Sequence, residues 1–385
     1  MTTEMKRIYL ETIRARYRKS TKKQKSIILT EFCEVTGYER KYALRILWKH
    51  VEPRSRRPGP KRTYSHSVIP HLIYFWNAMN RCCSKKMKAA LPLWLPYYRE
   101  PIDEETKRLL LQMSSATIDR RLRDYRETTQ LRGLSSTRSV WVKSKIPIKL
   151  LDSEVTEAGF MESDTVAHCG NSLSGEFVNT LTMTDLYSGW TENRAMLTKT
   201  SEQVVNLVKK VEERLPFEMK GFASDNGSEF LNEDLHRYLK KRDKPVEFVR
   251  RRPYKKNDNA HVEQKNFTHV RSLFGYTRYE DPEVVILMNE IYQAYWNPLW
   301  NYFTPCMKLA SKTRIGGRVK KLYDIPKTPA QRLLEHPSCP QWQAIHLKGQ
   351  LRGRNPFWLK QQLDKKLKEF FDLVEKKKAT SKVAS

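Results

Sequence analysis

The sequence has no run of about 18 apolar residues that would cross a membrane as a helix, and its start lacks the basic, apolar and small-residue order of a secretory leader. Membrane-spanning and secreted classes are set aside, and a soluble intracellular protein is expected. Zinc modules are missing as well. Six cysteines, at 33, 82, 83, 169, 306 and 339, form no Cys-x-x-Cys beside paired histidines, and adjacent Cys82 and Cys83 make a poor ligand pair. Reduced core thiols are the expectation. Negative charge is scarce: 43 Asp and Glu face 72 Lys and Arg, for a net charge of +29.

That surplus is unevenly spread. Residues 1–150 carry +21, residues 151–300 carry −5, and residues 301–385 carry +13. Basic arms flanking a mildly acidic centre imply a polyanionic partner for the arms, because each Lys or Arg set on a phosphate releases counterions. With 385 residues the chain has the length for two or three domains and a sizeable core.

Three acidic signatures mark the centre: Glu162-Ser163-Asp164, then Ser224-Asp225-Asn226-Gly227-Ser228-Glu229, then Asn257-Asp258-Asn259-Ala260-His261-Val262-Glu263. Residues 160–167, 177–186 and 191–197 read as an antiparallel meander with turns at Ser174-Gly175 and Ser188-Gly189. Helical spacing over 201–215, a short buried strand over 221–224, a helix over 229–241, a strand over 246–249 and a helix over 259–274 closed by Gly275 complete an α/β sandwich. On that last helix Ala260, Glu263, Phe267, Val270 and Phe274 fall on one stripe, which turns Glu263 toward the sheet. A buried charge is costly unless paired or metal-bound. Asp164 and Asp225 are its natural companions, and three carboxylates that repel one another point to a divalent cation. Taken singly, Asp-Asn-Gly is a common turn and a lone strand Asp or helix Glu is ordinary surface. Their order, element types and spacing together make the case, with 37 residues between Asp225 and Glu263.

These residues resemble the Asp-Asp-Glu triad of the retroviral-integrase superfamily, which includes many bacterial insertion-sequence transposases. Residues 160–170, 181–190 and 252–258 also resemble segments of their cores. The resemblance covers about 159–301, with a triad spacing slightly above the commonest 35 and without the retroviral zinc module. It implies a ribonuclease-H-like catalytic core with a mixed five-stranded sheet. It also implies a triad of Asp164, Asp225 and Glu263 that is both catalytic and metal-binding, holding two Mg2+ (or Mn2+) ions. The implied activity is cleavage and strand transfer of DNA. The implied partners are transposon terminal inverted repeats and target DNA, engaged as a homo-oligomer in the cytoplasm at the nucleoid. A nuclease of the same fold and a non-catalytic DNA-binding protein are the rival readings. His168 reads as strand-end packing before metal or proton-transfer duty, and His261 as a candidate substrate contact.

The flanks read as all-α DNA-binding regions. Helices over 5–17, 22–33 and 39–48 around Gly37 form a helix-turn-helix pattern with Arg40, Lys41 and Arg45 outward. An ordinary αα-hairpin has the same pattern; the charge favours DNA. Residues 53–62, with three prolines, cannot be helical, and Arg56, Arg57, Lys61 and Arg62 suit a minor-groove arm. Helices over 67–80, 85–98, 104–111 and 114–126 follow, with Ile118 and Leu122 inward and Arg120, Arg121 and Arg123 free for phosphates. Near the triad Arg250, Arg252, Lys255, Lys256 and Lys265 are further candidates to hold DNA. The expected organisation is a helix-turn-helix at 1–52, an arm at 53–64, a second helical domain at 65–127, a linker at 128–158, the catalytic core at 159–303 and a basic C-terminal region at 304–385. Within the last, Leu359, Leu363, Leu367, Phe370, Phe371 and Val374 form an apolar stripe suited to subunit or intramolecular packing.

Overall fold

A computed structural model describes residues 3–48, 64, 67–129, 155–224, 230, 232–250, 265–315 and 318–383. The chain forms two compact units, Met1–Thr63 and Tyr64–Ser385. The arm at 53–62 and most of the linker at 128–158 lie outside the described residues.

In the first unit α1 (Thr3–Lys19), α2 (Lys22–Thr36) and α3 (Arg40–Trp48) enclose Phe32, Ala43 and Leu47. Gly37 ends α2 with φ 70°, and its amide donates to the Cys33 carbonyl. A left-handed residue at this position costs glycine little, and it lets the chain reverse into α3. The Arg14 guanidinium donates to the Ile46 carbonyl at 2.9 Å, satisfying an orphan carbonyl of the last turn of α3.

The second unit is built on a five-stranded sheet in the order β3-β2-β1-β4-β5. Strands β1 (Phe160–Ala167), β2 (Asn179–Asp185) and β3 (Thr191–Met196) are antiparallel neighbours. Strands β4 (Gly221–Ser224) and β5 (Glu247–Arg250) run parallel to β1. Between them α8 (Ser201–Glu212) buries Val204, Val205, Val208 and Val211, and α9 (Glu233–Lys240) buries Leu235 and Leu239.

Helices α4 (Val68–Ala78), α5 (Ser84–Trp94), α6 (Glu104–Gln112) and α7 (Ser115–Thr129) share the core of this sheet, reaching it through Trp94. The Trp94 indole N–H donates to the Phe303 carbonyl at 3.1 Å. After the sheet come α10, a π-helical run Asn266–Arg271 passing into Ser272–Phe274, and α11 (Pro282–Glu290). A second π-helical run, Ile291–Trp296, leads into α12 (Asn297–Phe303). Asp281 caps α11 by accepting from the Glu283 amide, with Pro282 in the first turn.

Strands β6 (Leu309–Ile315) and β7 (Arg318–Tyr323) form a separate hairpin, followed by α13 (Pro329–Leu334), α14 (Gln341–Arg352) and α15 (Pro356–Val383). The C-terminal stripe packs within the chain: Leu359, Leu363, Phe370 and Val374 are buried, and Phe370 lies 4.8 Å from Phe274. Phe371 departs from that stripe and is exposed. Lys377 of α15 ties to Asp281 and Glu283 at 2.8 and 2.9 Å, and Lys366 to Glu290 at 2.9 Å.

Two residues around β1 give tests of this packing. Gly159, with φ 119°, donates its amide to buried Asp185, and a Cβ there would stand 2.6 Å from the Glu218 carbonyl oxygen. Gly159→Ala is expected to cost about 1–3 kcal/mol, read as a lowered urea midpoint; an unchanged midpoint would refute the strain. His168, just beyond β1, is buried against Tyr279 and Phe274, with Nε2 2.9 Å from the Thr180 hydroxyl. Burial, reinforced by Arg271, pushes its pKa down to about 3. The unfolded chain takes up that proton first, near pH 6.5. Stability from neutral His168 is thus whole above that pH and erodes as pH falls toward about 3, by up to about 1.4 kcal/mol per pH unit. His168→Gln should flatten the pH dependence of the urea midpoint below pH 6.5 relative to wild type, and parallel profiles would reject this account.

Candidate active site and nucleic-acid interface

Asp164 lies in the central strand, opposite Thr182 of β2, with its side chain half-buried. Its Oδ1 accepts from the Thr165 amide at 2.8 Å, and its Oδ2 accepts from the Asn266 side-chain amide at 2.6 Å. Two donors on a carboxylate fix its orientation. On the other side of β1, parallel pairing with β4 runs from Phe160↔Gly221 to Ser163↔Ser224. Asp225 and Glu263 lie outside the described residues, as does His261. Among the described residues no group of three or more His, Cys, Asp or Glu side chains is placed to hold a metal. Asp164 alone of the expected triad is therefore located, and its oxygens are the hard donors that magnesium and manganese prefer.

The helix that reaches Asp164 differs from the expected stripe. Phe267 is 62% exposed, whereas Lys265, His269, Val270, Leu273 and Phe274 are buried. The cause is the π-helical run at Asn266–Arg271. Its i→i+5 bonding takes in one more residue per turn than an α-helix, so a stripe counted at three- and four-residue steps slips off its face. The slip brings Lys265 inside, with Nζ 4.1 Å from the Trp300 ring centre. Burial, with Lys86 nearby, pushes the Lys265 pKa down to about 8. His269 joins the same interior: the Trp296 indole N–H donates to its Nδ1 at 3.0 Å, and the Asn193 side-chain oxygen Oδ1 lies 2.9 Å from that atom. Burial holds the imidazole neutral, with its pKa well below the usual range. Lys265, expected as a free contact for DNA, is instead buried; Asn266, His269, Trp296 and Trp300 were not singled out from sequence. The available signals were the position of Asn266, three residues after Glu263, and two tryptophans four residues apart at 296 and 300.

The remaining candidates are dispersed. Arg40, Lys41 and Arg45 are exposed on α3. Arg40 also hydrogen-bonds Thr30 and Ser26 across to α2, and Arg45 lies over the Tyr42 ring. On α7, Arg120 and Arg123 are exposed, while half-buried Arg121 donates to the Tyr64 carbonyl at 3.0 Å. Ser114 caps that helix through the Thr117 amide, and Ile118 and Leu122 are buried as the pattern required. Arg250 ends β5. Arg56, Arg57, Lys61, Arg62, Arg252, Lys255 and Lys256 lie outside the described residues. No described helix is long and apolar enough to cross a membrane.

Residues 156–254 match the family described as "Integrase core domain". The chain is also 36% identical over 337 residues to the "Uncharacterized protein y4rM" of Sinorhizobium fredii (strain NBRC 101917 / NGR234), a match covering 84% of this chain and 93% of that protein. Among solved structures, the catalytic core domain of BIV integrase aligns at 19% identity with a TM-score of 0.24, over 31% of this chain and 72% of that one. A simian T-cell lymphotropic virus intasome in complex with the PP2A regulatory subunit B56 gamma aligns at 15% identity with a TM-score of 0.27, over 43% of this chain and 55% of that one. With a five-stranded sheet of ribonuclease-H-like order, an integrase-core match that takes in all five of its strands, and a relative similar over most of its length, the chain belongs to the transposase and integrase family of the ribonuclease-H-like superfamily.

Proposed function

We propose that the chain is a transposase that binds the terminal inverted repeats of its element, cleaves the DNA at their 3′ ends and joins those ends to target DNA. The observation that carries the reading is the register at the centre of the sheet. The last parallel pair is Ser163↔Ser224; Asp164 follows Ser163 within β1, and Asp225 follows Ser224 in the sequence. The bond from Asn266 to Asp164 adds support, since Glu263 precedes Asn266 by three residues in the sequence.

In this reading Asp164, Asp225 and Glu263 hold two divalent ions, which when bound activate the attacking oxygen and stabilise the leaving one. The chain's own part is placement. Asn266 fixes the Asp164 carboxylate. Exposed Arg40, Lys41, Arg45, Arg120 and Arg123 hold phosphates and so register the duplex. Water attacks the phosphorus at the element end and a 3′-hydroxyl leaves; that hydroxyl then attacks a target phosphodiester and expels a second 3′-oxygen. Bringing two ends together calls for a homo-oligomer on DNA.

The test is joining of a labelled duplex carrying the element's terminal repeat to a second duplex with magnesium or manganese. Wild type should give joined product, and Asp225→Asn and Glu263→Gln should abolish it while leaving duplex binding intact. Cutting without joining would establish a nuclease instead, and binding with neither would leave a DNA-binding protein. Asn266→Ala should lower the joining rate about tenfold at unchanged DNA affinity, as loss of a ligand-orienting partner does. An unchanged rate would remove Asn266 from the site.

A further inference from the structure

Beside α10 the second unit contains a cavity of about 670 Å³, lined in part by Lys86, Lys265, Thr268, Trp296, Trp300 and Lys308. Such a volume suits a small organic ligand. The polar groups gathered about Trp300 share one property: they are donors lacking acceptors. Lys265 is 8% exposed, and its ammonium lies 4.1 Å from the Trp300 ring centre with no hydrogen-bond acceptor. The Trp300 indole N–H is likewise buried without a partner. Half-buried Lys86 brings a second ammonium to 5.9 Å from the same ring, with no carboxylate in ion-pair distance among the described residues. The other two lysines of the wall are engaged, Lys308 with the Tyr187 carbonyl and Lys360 with Asp364.

Buried donors without acceptors are costly, and a pair of ammonium groups adds repulsion that one indole face offsets only partly. A ligand that cancels these costs carries several acceptor oxygens, negative charge and no donors at its head. We propose that the cavity around Trp300 is a binding site for a phosphate group, held by Lys265, Lys86 and the Trp300 N–H. The less polar wall, with Trp296 and Leu273, accommodates the organic body of a phosphate monoester. Two sources share this chemistry, a free mononucleotide and the 5′-phosphate at a DNA end. The site uses none of the three carboxylates, although Lys265 lies two residues from Glu263 in the sequence.

The experiment is calorimetric titration of the full chain, in EDTA so that metal-bridged phosphate is excluded, with inorganic phosphate, thymidine 5′-monophosphate, and a short duplex with or without 5′-phosphates. Saturable binding is expected, weakened about tenfold or more by Trp300→Phe, which keeps the ring and loses the donor, and by Lys265→Met, which loses the charge. Lys86→Met, at a half-buried position, gives the same readout with the interior untouched should Lys265→Met not fold. A response to thymidine monophosphate assigns the free ligand. A response only to the 5′-phosphorylated duplex, beyond that to the unphosphorylated one, assigns a DNA end. No phosphate-dependent binding by any probe, or binding unaltered in Trp300→Phe and Lys86→Met, overturns the proposal. Failure of strand transfer in the separate metal-dependent assay leaves this result unaffected.

Discussion

The parallel pairing of β1 with β4 is the constraint on which the second unit depends. Antiparallel β2 and β3 need only the tight turn at Asp185–Gly189, where Asp185 accepts from the Ser188 amide and hydroxyl and from the Gly159 amide. Parallel β4 needs a crossover, which α8 supplies by spanning one face with four buried valines. Once Ser163 stands opposite Ser224, the carboxyl ends of the two strands share one edge of the sheet. Open α/β sheets place their chemistry at that edge. The bond from Asn266 to Asp164 then ties the last helix of the core to it.

How far this was legible in the sequence follows from which interactions are local. Strands β1 and β4 could be read to the residue, because a short apolar run between turn formers admits few alternatives. The cap at Asp281-Pro282 and the closing Gly275 are equally local signals. The α10 stripe misled at Phe267 because a π-helical run is decided by packing partners, here His269 against Trp296 and Trp300, and leaves no periodic mark. The β6–β7 hairpin escaped notice since its strands, Leu309–Ile315 and Arg318–Tyr323, carry basic residues where a half-buried strand would alternate.

Tertiary relations were harder still. Residues 65–127 read as a domain of their own, yet α4–α7 share their core with the sheet through contacts as distant in sequence as Trp94 and Phe303. Amphipathic spacing shows that a helix has an apolar face and is silent on what that face meets. The site divides in the same way. Carboxylates on strand and helix can be suspected from spacing, while Asn266, Lys265 and Trp300 acquire meaning only from their neighbours in space.

Phe370 of α15 packs on Phe274 and Tyr279, so the last long helix of the chain seals aromatic residues that belong to the middle of it. During synthesis the sheet and α10 leave the ribosome nearly a hundred residues before their cover. At about 5–20 residues per second that interval lasts on the order of 5–20 s. The nascent core therefore waits with an apolar face open until α15 follows it out.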